Sequence, residues 1–317
     1  MKITVLDGYT LNPGDLDWKN MEALGELTVY DRTPSHLTVE RAQDSEIVIT
    51  NKTVIDADIM KQLPRLKYIG VLATGYNVVD TVAATHRGIT VTNIPAYSTM
   101  SVAQMAISLL LAIVQRVEHY AEENRNGKWS RCEDFCYTDF PLTELAGKQF
   151  GVIGFGNTGS ATAHVAAALG MKIAVVTSKP QDSLPEGYIK MDLDELLSSS
   201  DVVSLHCPLA PDTYHLMNAS RLSKMKPSAI LINTGRGPLL DEKAVADALE
   251  SGQIHAAGMD VLGNEPPAPD NPLLTAPRCF ITPHIAWATF EARQRLMDIA
   301  VRNIEAFLQG TPTNTVN

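Results

Sequence analysis

Three side chains able to do acid–base and carboxylate chemistry fall at the same kind of place in this chain. Arg236 follows the apolar run AILINTG (229–235). Glu265 follows HAAGMDVL (255–262), whose end also carries Asp260. His284 closes CFITPHI (279–285). Each run is short and apolar and reads as a strand. In an open α/β sheet, ligands collect beyond the carboxyl ends of the strands. A guanidinium, a carboxylate and an imidazole at three successive ends can therefore converge on one crevice. Each residue also has an ordinary structural role open to it. Arg236 can be a solvated turn residue, Glu265 part of a loop before two prolines, and His284 a partly buried, satisfied histidine. No histidine has a second ligand at metal-binding spacing, so no metal centre is expected.

A second motif lies upstream. GVIGFGNTGSATA (151–163) places Gly154, Gly156 and Gly159 in the spacing G-x-G-x-x-G, after a strand pattern and at the opening of a helix pattern. In that setting Gly154 permits the tight turn, Gly156 lets a pyrophosphate approach the backbone, and Gly159 lets helix and strand pack closely. The helix N-terminus then presents N–H groups and partial positive charge to the phosphates. The next strand, KIAVV, runs into Thr177, Ser178 and Lys179, and no carboxylate appears before Asp182. A carboxylate there would grip the ribose hydroxyls of NAD. Two hydroxyls and an ammonium suit a 2′-phosphate instead, so NADP is expected over NAD. The alternative is that Thr177 and Ser178 hold the ribose and Lys179 is only solvated.

The elements that must position these groups recur along the whole chain of 317 residues, a length suited to roughly two domains. Strand-like runs KITVLD (2–7), LTVYD (27–31), EIVITN (46–51), LKYIGVLA (66–73) and ITVTNIP (89–95) alternate with helical stretches. The alternation restarts at QFGVIGFG (149–156). Such repetition predicts two doubly wound units with parallel sheets. Between them, 101–129 reads as one long helix, apolar first and charged later, followed by an aromatic and acidic loop at 130–142. The segment 288–310 is an amphipathic helix ending in glycine, placed so that the C-terminus could complete the first unit. A net charge of -10 argues against nucleic acid or an anionic membrane as partner. The longest apolar stretch, AISLLLAIV (106–114), is about half a membrane span. The N-terminus lacks the apolar core of a signal peptide, and Cys132, Cys136, Cys207 and Cys279 read as free thiols, so a cytoplasmic location is expected.

GFGNTGSATA, SLHCPLAPDT, INTGRGPLLDE, MDVLGNEPP and TPHIAWAT, in that order, resemble the D-isomer-specific 2-hydroxyacid dehydrogenase family. MKITVLDGYTLNPGDL, VLATGYNVVD and NIPAYSTMSVAQ resemble it too, closest to its glycerate dehydrogenase (hydroxypyruvate reductase) branch. The resemblance covers essentially the whole chain. It implies two Rossmann-like domains: a substrate domain from 1–98 and 287–317, completed by the C-terminal helix, and a dinucleotide domain from 99–286. It also implies a homodimer, with 129–137 at the contact.

Residue by residue, the resemblance makes Arg236 the group that holds the substrate carboxylate and polarises the keto oxygen, a task suited to a guanidinium fork. His284 becomes the general acid/base and Glu265 its partner; a nearby carboxylate favours an imidazolium able to protonate a forming alkoxide. Ala73, Thr74 and Gly75 match the loop that binds the substrate carboxylate, and Trp287 a position that narrows the pocket or packs against a helix. Cofactor contacts are implied for Asn157, Thr158, His206, Cys207, Pro208, Thr213 and Thr234 beside the glycines and residues 177–179. Asp260 matches the acceptor for the nicotinamide carboxamide, or else serves as a turn cap. Asn93, Ser98 and Thr99 read chiefly as helix caps. Gln104 departs from the glutamate of many relatives. The expected activity is reduction of hydroxypyruvate or glyoxylate. D-lactate-type and phosphoglycerate oxidation remain alternatives, formate oxidation is disfavoured by Glu265, and a dinucleotide-sensing corepressor is a distant one.

Overall fold

The computed structural model describes residues 1–317, which form two compact units: Met1–Ser98 with Ala288–Asn317, and Thr99–Trp287. The second unit closes one residue beyond the boundary suggested by the sequence.

The first unit holds a parallel sheet of β1 (Lys2–Val5), β2 (Glu26–Val29), β3 (Ile47–Thr50), β4 (Tyr68–Val71) and β5 (Thr90–Thr92), in the order β2-β1-β3-β4-β5. Central β3 and β4 are buried along their length, whereas edge strand β2 alternates exposed and half-buried residues. This is the pattern of a sheet covered on both faces with a wet edge. Val48, Ile69 and Val91 feed one core, and Tyr68 meets Phe307 of the last helix at 4.9 Å. That helix, Phe290–Leu308, starts at Thr289, whose side chain accepts from Ala292 N. Its buried Arg293 pairs with Asp15 at 2.6 Å, and its buried Asn303 donates to Asn93 O and accepts from Asn314 Nδ2. The tail then bridges Thr92 through Thr315. The C-terminus is thus part of this unit, held by polar contacts hundreds of residues apart in sequence.

The second unit holds β6 (Gln149–Ile153), β7 (Lys172–Val176), β8 (Ile189–Lys190), β9 (Val202–Leu205), β10 (Ile230–Asn233), β11 (Ala256–Met259) and β12 (Cys279–Ile281). Their order is β12-β11-β10-β9-β6-β7-β8, all parallel. Successive residues serve opposite faces: Val152 and Ile232 join one core, Ile153 and Leu231 the other. The order reverses between β6 and β9, the switch point where such sheets bind dinucleotides. The edge strand β8, only two residues long, is not visible in the sequence pattern.

The long helix expected over 101–129 is broken. Helices Thr99–Gln115 and Val117–Arg125 meet at 57°, because Arg116 adopts a left-handed backbone. Its guanidinium lies 4.9 Å from the rings of both Phe140 and Phe280, two cation–π contacts made at the break. No single helix is long and apolar enough to cross a membrane.

Candidate active site

The glycine turn sits at the carboxyl end of β6. Gly154 has φ +95, and a Cβ there would run into the backbone of His206 and Cys207. A Cβ on Gly159 would collide with the Gly154 carbonyl, while the space beside Gly156 is open. Two of the three glycines are therefore required by packing, and the middle one leaves a cradle for a ligand to approach backbone. Gly156 caps the helix Asn157–Ala168, whose first turn, with Asn157 and Thr158, carries no side-chain cap. Two strands away in the sheet, Thr234 at the end of β10 is buried, and its hydroxyl makes no hydrogen bond within the protein. An open glycine face, an uncapped helix start and a buried unsatisfied hydroxyl together fit a dinucleotide.

At the end of β7, Thr177 Oγ1 accepts from Lys179 N, and Ser178 and Lys179 are exposed. A second cation, unremarked in the sequence, joins them: Lys190 of β8 donates to Lys179 O at 2.8 Å. His206 bonds Ser204 Oγ through Nε2 at 2.8 Å. Burial pushes it down to about 4, although the residue as a whole keeps intermediate exposure. Burial likewise pushes the Cys207 thiol up. Thr213 uses its hydroxyl within its own loop, donating to Pro208 O and accepting from Ala210 N, both at 2.7 Å.

The three candidate catalytic side chains follow three adjacent strands. Parallel pairing aligns Asn233, Met259 and Ile281. Arg236 comes three residues after the first, Glu265 six after the second and His284 three after the third. His284 Nδ1 meets Glu265 Oε2 at 2.5 Å, and Glu265 Oε1 accepts from Leu262 N at 3.0 Å. A carboxylate on Nδ1 fixes the ring's tautomer and leaves Nε2 as the nitrogen that could exchange a proton with a ligand. Arg236 is exposed, and its turn is clasped by buried Asn233, whose amide donates to Arg236 O and accepts from Gly235 N.

Asp260 performs the turn-cap role. Almost fully buried, it accepts from Thr282 Oγ1 at 2.6 Å and from Ile285 N and Ala286 N at 2.9 Å. It thereby holds the turn in which His284 adopts φ +54. Burial raises its pKa, and these donors pull the other way. A carboxylate has about four acceptor positions, so three donors leave room for a ligand amide.

In the first unit, Ala73, Thr74 and Gly75 follow β4. Ala73 O accepts from Ile94 N, Thr74 Oγ1 donates to Ile94 O, and Thr74 O accepts from Asn93 Nδ2. Asn93 thus braces this loop; capping the helix that begins at Thr99 is not what its side-chain amide does. Trp287 is half-buried in the second unit. Sequence reasoning missed Asn233 and Lys190. An asparagine ending an apolar strand is a turn signal that could have flagged the first.

This arrangement is that of a dinucleotide-dependent oxidoreductase with a histidine–carboxylate pair. Residues 107–286 match the NAD-binding domain of the D-isomer specific 2-hydroxyacid dehydrogenases. The chain is 51% identical over 321 residues to a hydroxypyruvate reductase of Blautia hydrogenotrophica, covering 100% of both chains. It is 46% identical to a glycerate dehydrogenase of Methylorubrum extorquens, covering 90% of this chain and 89% of that one. Among solved structures, an acyclic imino acid reductase (Bsp5) in complex with NADPH and D-Arg superposes with a TM-score of 0.86 at 32% identity, covering 100% of both chains. The apo form of D-lactate dehydrogenase from Escherichia coli superposes with a TM-score of 0.87 at 29% identity, again over the full length of both. The chain belongs to the D-isomer-specific 2-hydroxyacid dehydrogenase family. It is a nicotinamide-dependent oxidoreductase acting on 2-hydroxy acids.

The depressed His206 generates a pH dependence of stability. Between about 6.5 and about 4 the unfolded chain binds a proton that the native chain refuses. Stability is therefore complete above 6.5 and falls as pH drops toward 4. The loss is up to about 3 kcal/mol, less where solvent reaches the ring. Denaturant unfolding at pH 7.5 and 4.5 should show wild type losing more stability than His206→Gln. Parallel losses would refute the burial of this ring.

Proposed function

We propose that this enzyme reduces hydroxypyruvate, and glyoxylate, to the corresponding 2-hydroxy acids, preferring NADPH. The observation that carries the reading is the Glu265 and His284 pair at 2.5 Å, following the two strands next to the one that leads to Arg236. The names of the relatives at 51% and 46% identity support the substrate class.

Arg236 holds the substrate carboxylate and polarises the keto oxygen, and its guanidinium offsets charge that develops there. Glu265 orients the imidazole through Nδ1, so that Nε2 delivers the proton to the forming alkoxide and recovers it in the reverse direction. The nicotinamide, when bound, supplies or accepts a hydride at C4. Gly154, Gly156 and Gly159 with the start of the Asn157–Ala168 helix take the pyrophosphate, and Thr234 and Asp260 take polar groups toward the nicotinamide. His206, Cys207, Pro208 and Thr213 form the facing wall. Trp287 restricts the substrate's third carbon; this role belongs to the same proposal. Preference for NADPH rests on Thr177, Ser178 and Lys179, with Lys190 adding a second ammonium. Four free thiols accord with the cytoplasm.

We also propose a homodimer through the loop after the broken helix. Trp129 Nε1 donates to Phe135 O, Asp139 N donates to the Tyr120 hydroxyl, and Asp139 binds both Lys128 and His119. This bracing holds the loop in place yet leaves Phe135 89% exposed. A fixed, exposed aromatic suits an interface anchor.

A panel of short 2-keto acids with NADPH and NADH should show turnover of hydroxypyruvate and glyoxylate; no turnover on the panel would reject the substrate class. His284→Ala should lower kcat by about 10²–10⁴-fold while cofactor binding, followed by fluorescence titration, persists. Thr177→Asp should move the NADPH/NADH ratio of kcat/KM toward NADH by about tenfold or more through charge repulsion, and an unmoved ratio would remove the 2′-phosphate argument. In sedimentation, wild type should be dimeric and Phe135→Asp monomeric; a monomeric wild type would end the dimer proposal.

A further inference from the structure

Glu242 opens the helix Glu242–Glu250, six residues after Arg236. An acidic residue in a first helical turn ordinarily serves the helix itself. That service is already supplied here: Asp241 is the N-cap and accepts from Ala244 N at 3.1 Å. Glu242 is turned elsewhere. Its Oε1 accepts from Gly263 N at 2.6 Å, and its Oε2 accepts from Asn271 Nδ2 at 2.9 Å.

Gly263 and Asn271 are the two ends of the loop that carries Glu265. Asn271 is in turn built in, donating from its backbone to Ala268 O and accepting from Leu273 N through Oδ1. Between the ends stand Pro266, Pro267 and Pro269, each with a locked φ. In so stiff a segment, fixing both ends fixes the interior. On the opposite side the backbone of Gly237, next to Arg236, packs so tightly on Leu262 and Gly263 that no Cβ could be added. The turn of Arg236 and the loop of Glu265 are thus interlocked twice, once by backbone contact and once by a single carboxylate.

We propose that Glu242 is a positioning residue for the reaction: by stapling both ends of the 263–271 loop it sets Glu265 against His284 and in register with Arg236. The inference rests on the roles given above to Glu265 and His284. Glu242 acts only through Glu265, so its removal should be felt in kcat and not in cofactor binding. Misplacing a group by about 1 Å can cost up to about 10²-fold in rate.

The test is a four-member cycle in the full chain: wild type, Glu242→Ala, Glu265→Gln and the double variant, assayed with glyoxylate and the reduced nicotinamide cofactor. Glu265→Gln should lower kcat by about 10²-fold. Glu242→Ala should lower it by about tenfold or more, with the cofactor KM held within about twofold. The double variant should be no slower than Glu265→Gln alone. Multiplying losses, or an undiminished kcat in Glu242→Ala, would overturn the positioning role and leave the site intact. An undiminished kcat in Glu265→Gln would instead overturn the reading of the site. A second arm covers a Glu242→Ala chain that does not fold. Glu242→Gln satisfies only one of its two donors, and adding Asn271→Asp supplies an acceptor for the new amide. The pair should recover kcat to within about twofold of wild type, and a pair no faster than Glu242→Gln overturns the proposal.

Discussion

The site depends on the parallel register of β10, β11 and β12. Pairing places Asn233, Met259 and Ile281 side by side, so whatever follows each strand emerges at one level. The backbone ladder does this without reference to chemistry. Parallel sheets leave all carboxyl ends on the same edge, and the connections, the helix Glu242–Glu250 after β10 and a loop with the short turn Pro272–Leu274 after β11, keep the strand ends apart in sequence while they meet in space. A slip of one residue in β12 would turn its side chains to the opposite face and carry the His284 turn away from Glu265.

Register alone does not aim side chains, and the loops are aimed by polar groups, Asn233 and Asp260 buried and Glu242 half-buried. Asn233 closes the Arg236 turn, Asp260 closes the His284 turn, and Glu242 closes the Glu265 loop. Asp260 shows how the energies compare. Burying a carboxylate costs several kcal/mol, and three charge-assisted hydrogen bonds return about 1.5–3 kcal/mol each. The two nearly balance, and burial keeps the upper hand, leaving the carboxyl with a raised pKa. Such a network adds little net stability, but it holds a left-handed turn at His284 that an apolar core would not specify.

At the dinucleotide end the same economy appears in the backbone. Gly154 and Gly159 are excluded from bearing side chains by their own neighbours, and Gly156 alone faces open space. Much of the motif is therefore a packing requirement of β6 and its helix. What that packing leaves open is the start of the helix, without a side-chain cap, the buried Thr234 hydroxyl and the polar end of β7. The two lysines at 179 and 190 meet there because β8 pairs with β7, Lys190 opposite Val175.

How much of this was legible depended on distance along the chain. Strand and helix alternation, the glycine turn and the order of Arg236, Glu265 and His284 are local patterns, and hydrophobic periodicity states them directly. The break at Arg116 was not legible, because helical periodicity continues across it and the rings that draw the guanidinium, Phe140 and Phe280, lie 24 and 164 residues away in sequence. Asn93 read as a cap because its partner at Thr74 is 19 residues back. The contacts of Glu242 were not legible for the same reason, its partners being 21 and 29 residues on. The sequence by itself determined which side chains could do chemistry and which turns they followed, since residue type and spacing are local. Only the tertiary structure decided which of them touch, because the parallel register brings together strand ends that no local pattern can relate.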